Sequence, residues 1–105
     1  MDYITAKELK NQLDNGDDIT VLDIREPYEL EICQIESLHV PMADVPARIK
    51  EIPATGDVVV LCRSGKRAMA VANLLVSDFD RDNVIILDGG ILAWIDQVDH
   101  QLEAY

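Results

Sequence analysis

Basic residues are scarce in this chain. Nine Lys and Arg stand against 20 Asp and Glu over 105 residues, a formal net charge of −11 with a sequence pI of about 4.3. Phosphate recognition runs on Lys and Arg clustered across a face, so this balance argues against a nucleic-acid binder. It disfavours attachment to an anionic membrane surface for the same reason. Only two cysteines occur, Cys33 and Cys62, with no Cys-x-x-Cys pair and no His beside either. A zinc site needs about four ligands at characteristic spacings, so no metal is expected. Long apolar runs are missing too. The longest stop at five residues, far short of the ~20 of a membrane-spanning helix. Met1-Asp2-Tyr3-Ile4 has no basic stretch leading into an apolar one, so no secretory signal is read there. These absences predict a cytoplasmic, reducing location in which a free thiol persists.

What is present is enough for a core. The hydrophobic fraction is 49%, and Val, Ile and Leu recur in short runs, unlike a disordered acidic tail. A chain of this length buries roughly two-thirds of its unfolded surface as one domain, and residues 1–105 are read as such. No repeat, linker or low-complexity tract divides them.

Thr5-Ala6-Lys7-Glu8 has the form of a capping box, and Leu9 and Leu13 follow at helical spacing up to Gly16. A very short strand is predicted before that helix, and a strand over Ile19–Leu22 after it. Pro27 suits the first turn of a second short helix, 27–32, because its missing N–H costs nothing there. A brief strand at 38–40 is stopped by Pro41, and 44–51 is expected to make a helical turn or two. Asp57-Val58-Val59-Val60-Leu61 is the strongest strand. It shows no apolar–polar alternation, which predicts burial on both faces, as in a parallel sheet covered by helices. Residues 67–79 read as a helix with Met69, Ala72, Leu75 or Val76, and Phe79 on its inner side. The small residues Ala68, Ala70 and Ala72 would allow close approach to the sheet. Val84–Leu87 is another buried strand, Asp88-Gly89-Gly90 breaks it, and 91–98 reads as helical. Strands alternating with helices predict a three-layer α/β domain.

Chemistry is expected beyond the carboxyl end of the central strand, where open parallel sheets bind ligands. That strand delivers Cys62-Arg63-Ser64-Gly65-Lys66-Arg67, and a helix begins at once. Backbone N–H groups of such a loop, with the helix amino terminus, can curl around an anion. Gly65 frees the chain to turn. Arg63, Lys66 and Arg67 place three of nine basic residues within five positions. All of this favours the thiolate of Cys62, whose free pKa of about 8.5 should fall. A Cys closing an apolar strand is more often a small buried hydrophobe; the cations and the Gly reverse that preference. A phosphate-binding Walker loop would need Gly at 60 and Ser or Thr at 67, where Val60 and Arg67 stand. A Cys–His pair could draw only on distant His39 or His100. Trp94 reads as a core anchor under the last helix, and the acidic run 78–82 as a solvated turn.

Cys62-Arg63-Ser64-Gly65-Lys66-Arg67 resembles the active-site loop of single-domain rhodaneses, the thiosulfate or persulfide sulfurtransferases. Val21-Leu22-Asp23-Ile24-Arg25-Glu26-Pro27-Tyr28-Glu29 is similar to the family's Asp-x-Arg-x-x-x-Glu motif. Leu87-Asp88-Gly89-Gly90 with Trp94 resembles its carboxyl-terminal motif. The match runs over essentially the whole chain, in order. It implies a five-stranded parallel sheet flanked by helices and a Cys62 persulfide as covalent intermediate, without a separate cofactor. Loop amides 63–67, Ser64 and Gly65 among them, would hold the transferred sulfur. Arg63 and Lys66 would attract an anionic donor such as thiosulfate or a donor-protein persulfide, and Arg67 would brace the loop. A thiol or sulfur-carrier protein is the implied acceptor. Asp23, Arg25 and Glu29 would be supports; from spacing alone, Arg25 and Glu29 read equally well as an exposed helix-entry ion pair worth only tenths of a kcal/mol.

Many rhodaneses continue with Gly-His-Ile-Pro-Gly-Ala, where this chain has Cys33-Gln34-Ile35-Glu36-Ser37-Leu38. Glu31-Ile32-Cys33 with a later Val40-Pro41-Met42 is closer to rhodanese domains fused to adenylating enzymes, which supply ubiquitin-like sulfur carriers for thiamin, molybdopterin or tRNA thiolation. Cys33 reads as a packed residue in place of Gly, with a resolving thiol as the alternative. Two other functions compete. A Cys-dependent phosphatase or arsenate reductase would use the same architecture, but the four residues between Cys62 and Arg67 are one fewer than such loops place there. A non-catalytic rhodanese-like module that carries sulfur or regulates a partner is the second rival; the retained thiol and basic loop argue against an inert scaffold but suit a sulfur carrier.

Overall fold

The computed structural model describes all 105 residues. Three layers form around one five-stranded sheet: β1 (Asp2–Ile4), β2 (Ile19–Asp23), β3 (Leu38–His39), β4 (Asp57–Leu61) and β5 (Val84–Leu87), in the order β1-β5-β4-β2-β3. Every neighbouring pair is parallel. Helices α1 (Ala6–Asp14), α2 (Pro27–Ile32), α3 (Lys66–Phe79) and α4 (Gly90–Gln97) make the connections, with two short 3-10 turns at Met42–Asp44 and Ile49–Glu51 in place of the helical turns expected across 44–51.

The central strand explains the layering. Successive side chains of a strand point to opposite faces. Val58 and Val60 therefore join Cys62 in the core beneath α3, with Ala68, Val71, Ala72 and Leu75. Val59 and Leu61 join the opposite core, with Leu9 of α1 and Ile91 and Trp94 of α4. All three valines are fully buried, each contributing about 1.5–3 kcal/mol through the apolar surface it removes from water. The absence of alternation in 58–61 thus reflects burial on both faces.

Local sequence sets the helix entries. Thr5 Oγ1 accepts from the Glu8 amide at 3.1 Å and the Glu8 carboxylate accepts from the Thr5 amide at 3.0 Å, the reciprocal cap expected there. Leu9 is buried, but Leu13 is 37% exposed. In α3 Ala72 and Leu75 are buried as expected, beside Ala68 and Val71, and Phe79 packs against the same core, whereas Met69 and Val76 are 46% and 43% exposed. The amide of Ala68 meets the Cys62 sulfur at the end of β4. Small side chains then meet the sheet, and Met69 is turned outward. Ala70, expected to help that approach, is exposed.

Register gathers the site. Asp23 pairs with Leu61 and Val60 with Ile86, so the segments after β2, β4 and β5 emerge side by side at one sheet edge. The Ile24 amide donates to the Leu61 carbonyl at 3.1 Å and locks the first two together.

Candidate active site

Cys62 leaves β4 at that edge, 1% exposed, with its sulfur under the loop it begins. Gly65 donates its N–H to Sγ at 3.0 Å and Ala68 does so at 3.4 Å. The first comes from the loop and the second from the opening turn of α3. Gly65 adopts φ of +110°, a left-handed conformation in which a side chain would be strained. The loop carbonyls face the other way. Ile91 and Leu92 at the start of α4 donate to the carbonyls of Cys62 and Arg63 at 2.9 and 3.2 Å. Gly90 makes this approach possible, since a Cβ there would overlap both carbonyl groups. With its acceptors drawn toward α4, the loop turns donors toward the sulfur. Such a cradle stabilises negative charge on or next to that atom.

The supports expected at 23, 25 and 29 are assembled, but with different partners. Arg25 is fully buried and its pair is Asp23: Nε donates to Oδ1 at 3.0 Å and Nη2 to Oδ2 at 2.8 Å. Nη2 also reaches the Cys33 carbonyl at 2.9 Å. The Glu29 carboxylate instead binds Arg67 at both oxygens, each at 2.8 Å. The exposed Arg25–Glu29 ion pair expected from spacing is therefore absent. Arg25 precedes α2, so helical i,i+4 adjacency does not apply, and its side chain turns inward along β2. Glu29 is 2% exposed, and the Arg67 guanidinium, against the opposing effect of burial, holds its carboxyl at about 2. Arg67 thereby braces the loop from α2.

One participant was not expected. Tyr105 lies against the same network, its hydroxyl donating to Glu29 Oε1 at 2.8 Å and accepting from Arg25 Nη1 at 3.1 Å. Burial pushes its phenol up; Arg25 opposes that shift and Glu29 adds to it, consistent with a protonated donor. Arg63 stacks over the Tyr105 ring, 5.0 Å from its centroid, and donates to the Tyr105 backbone oxygen. The available signal was the spacing of Val98, Leu102 and Tyr105, which pack against the α1–α4 core.

The remaining residues fall around these. Ser64 and Lys66 are exposed on the loop. With Gly65, Tyr3, Met69 and Asp88 they line a cavity of about 540 Å³. A larger groove between α1, α4 and residues 34–38 shares no residue with the loop. Cys33 is buried in the α1–α4 core, on the opposite sheet face from Cys62, which fits the packed residue and not a resolving thiol. His39 donates from Nε2 to the Arg25 carbonyl at 2.7 Å, His100 is exposed, and Trp94 is buried as a core anchor. Around the acidic turn, Arg81 ties the chain to the carbonyls of Ile52 and Ile49. No three His, Cys, Asp or Glu side chains cluster as a metal site would require, and no helix is long and apolar enough to cross a membrane.

Residues 5–97 match the family described as Rhodanese-like domain. A sulfurtransferase of Allochromatium vinosum is 40% identical over 93 residues, covering 87% of this chain and 85% of that protein. The probable adenylyltransferase/sulfurtransferase MoeZ of Mycobacterium tuberculosis is 29% identical over 106 residues, covering 97% of this chain but 26% of its own length. Among solved structures, a rhodanese-related protein from Thermoplasma volcanium superposes with a TM-score of 0.82 at 28% identity, over 93% of this chain and 94% of that one.

Proposed function

The chain belongs to the rhodanese-like domain family, a sulfurtransferase by its relatives, and from that premise we propose that it moves a sulfane sulfur through a persulfide on Cys62. The thiolate of Cys62 attacks the outer sulfur of an anionic donor. With thiosulfate, the new S–S bond forms as the donor's S–S bond breaks, and sulfite leaves with the bonding pair. A nucleophilic acceptor then attacks the terminal sulfur, takes it, and returns the Cys62 thiolate. No net oxidation occurs beyond the transfer itself.

The single observation that carries this reading is the pair of amides aimed at Cys62 Sγ, Gly65 at 3.0 Å and Ala68 at 3.4 Å. Preorganised N–H groups cost no reorganisation when charge develops, which is how such cradles lower barriers. Asp23, Arg25, Glu29 and Arg67 act through the loop by holding it in this shape. MoeZ bears both adenylyltransferase and sulfurtransferase in its name, and that supports a thiol or sulfur-carrier protein as the acceptor here.

Intact-mass analysis after incubation with thiosulfate tests the reading. The wild type should gain the mass of one sulfur and Cys62→Ala none. No adduct on the wild type, together with hydrolysis of an aryl phosphate, would overturn it in favour of the phosphatase alternative.

A further inference from the structure

The residues after α4 lie outside the stretch 5–97 that matches the family, yet Tyr105 reaches the centre of the site. Val98, Leu102 and Tyr105 pack against the α1–α4 core, which leads the chain to the edge where β2 and β4 end. There Tyr105 bonds to Arg63, Glu29 and Arg25, which stand 42, 76 and 80 positions away.

Two ion pairs stand beneath the loop, Asp23 with Arg25 and Glu29 with Arg67. Tyr105 is the one side chain outside the pairs that bonds to both. Its hydroxyl accepts from Arg25 Nη1 at 3.1 Å and donates to Glu29 Oε1 at 2.8 Å. The next oxygen open to Nη1, the Glu29 carbonyl, is at 3.4 Å. Arg25 is fully buried, and a buried charged donor without a good acceptor is destabilising. The hydroxyl therefore meets a need of Arg25 with the same atom that fills a carboxylate oxygen of Glu29. From Glu29 the contacts run on to Arg67, the second residue of α3, and the next residue is Ala68, whose amide faces Cys62 Sγ. The ring has a separate duty, because Arg63 stacks on it and bonds to the Tyr105 backbone oxygen.

We propose that Tyr105 is a positioning residue for Cys62: its hydroxyl joins the two ion pairs into one unit, and through Arg67 that unit fixes how the amides of Gly65 and Ala68 face the sulfur. Tyr105 itself bonds to neither Sγ nor those amides. The kinetic half of the test rests on the sulfur-transfer reading; the spectroscopic half does not. Phe at this position separates the two duties, since it keeps the ring beneath Arg63 and removes only the hydroxyl.

Single-turnover loading of Cys62 from thiosulfate, read by intact mass across donor concentrations, gives a maximal rate and a half-saturating concentration. Tyr105→Phe should lower the maximal rate about fivefold to twentyfold, as small misplacements of reacting groups do. The half-saturating concentration should change less than about twofold, because the hydroxyl makes no contact with the donor. Glu29→Gln should lower the maximal rate as well, and Tyr105→Phe added to it should take away little more, since residues acting through one another are not additive. In proton–nitrogen correlation spectra without any donor, the amide protons of Gly65 and Ala68 should move upfield in Tyr105→Phe as their bonds to Sγ lengthen, while those of β1 stay in place. Leu102→Ala loosens the tail without touching either ion pair. It should reproduce both changes in weaker form, and it carries the test if Tyr105→Phe does not fold. A maximal rate in Tyr105→Phe within about twofold of wild type, too little for a displaced cradle, would overturn the proposal. So would a half-saturating concentration that rises as far as the rate falls, a full further loss in the Glu29→Gln background, or unmoved Gly65 and Ala68 amides. If the wild type takes no sulfur from thiosulfate while those two amides still move in Tyr105→Phe, the positioning role stands and the donor reading fails.

Discussion

Glu29 carries two separate duties with one carboxylate. It closes the start of α2 by accepting from the Glu26 amide at 2.7 Å, and it holds Arg67 at both oxygens. Its carboxyl sits at about 2 in the folded protein, below an ordinary 4.5, chiefly because of the Arg67 bond. A lowered pKa means that the folded state binds the proton less readily than the unfolded chain. The stabilisation is present above 4.5 and fades as pH falls through that value towards 2. Glu29→Gln should therefore lose about 1–2 kcal/mol at neutral pH, discounted because Arg67 keeps water contact on its outer side. It should also show a shallower loss of stability on acidification; urea unfolding as a function of pH measures both. The sequence showed Glu29 and Arg67 as belonging to one motif set, but not to each other. Thirty-eight positions separate them, and only the alignment of β2 with β4 brings α2 to the loop. Tyr105 escaped notice for the same reason: its partners are Arg25, Glu29 and Arg63, none of them near it in the chain.

At the level of elements, the cradle is made by four segments, not by one loop. β4 presents the cysteine, α3 supplies the Ala68 amide, α4 draws away the carbonyls of Cys62 and Arg63, and α2 pins Arg67. The contact of α4 depends on Gly90, whose φ of +61° and lack of a side chain let the helix start against the loop backbone. Gly90→Ala should cost about 1–3 kcal/mol from overlap and strain. Because the overlap falls on the loop itself, sulfur loading of Cys62 should drop at least about tenfold, as small misplacements of reacting groups do. Thermal unfolding and the mass assay, run below the melting point, separate the two effects. Strand positions were legible because β-branched runs such as 58–60 and 84–86 satisfy the sheet on both faces. On α3, Ala72, Leu75 and Phe79 were legible as inner residues but Met69 was not as an outer one, because Met69 and Ala68 are both apolar and adjacent and only packing against the core separates them. The loop was the most legible part, since its thiol, glycine and cations lie together in the chain. What the chain could not display was which cations would be consumed by partners from elsewhere.

Across the whole molecule the order β1-β5-β4-β2-β3 puts the cysteine-bearing strand in the middle, with neighbours on both sides and a helical layer on each face. The strands at the rim, β1 and β3, are short and have only one partner each. Rim strands can fray individually, whereas β4 cannot separate without breaking two ladders at once. β4 consequently has no private route of opening. Deuterium should enter the amides of Val59 and Val60 only at the rate set by global unfolding, while those of β1 and β3 exchange sooner; site-resolved exchange across a denaturant series would show two distinct slopes. If the central amides exchanged with the shallow slope of the rim, a local opening would have to exist. The thiol thus stands on the least yielding strand of the sheet, so any opening that bares it further must come from the loop above it and not from the strand below.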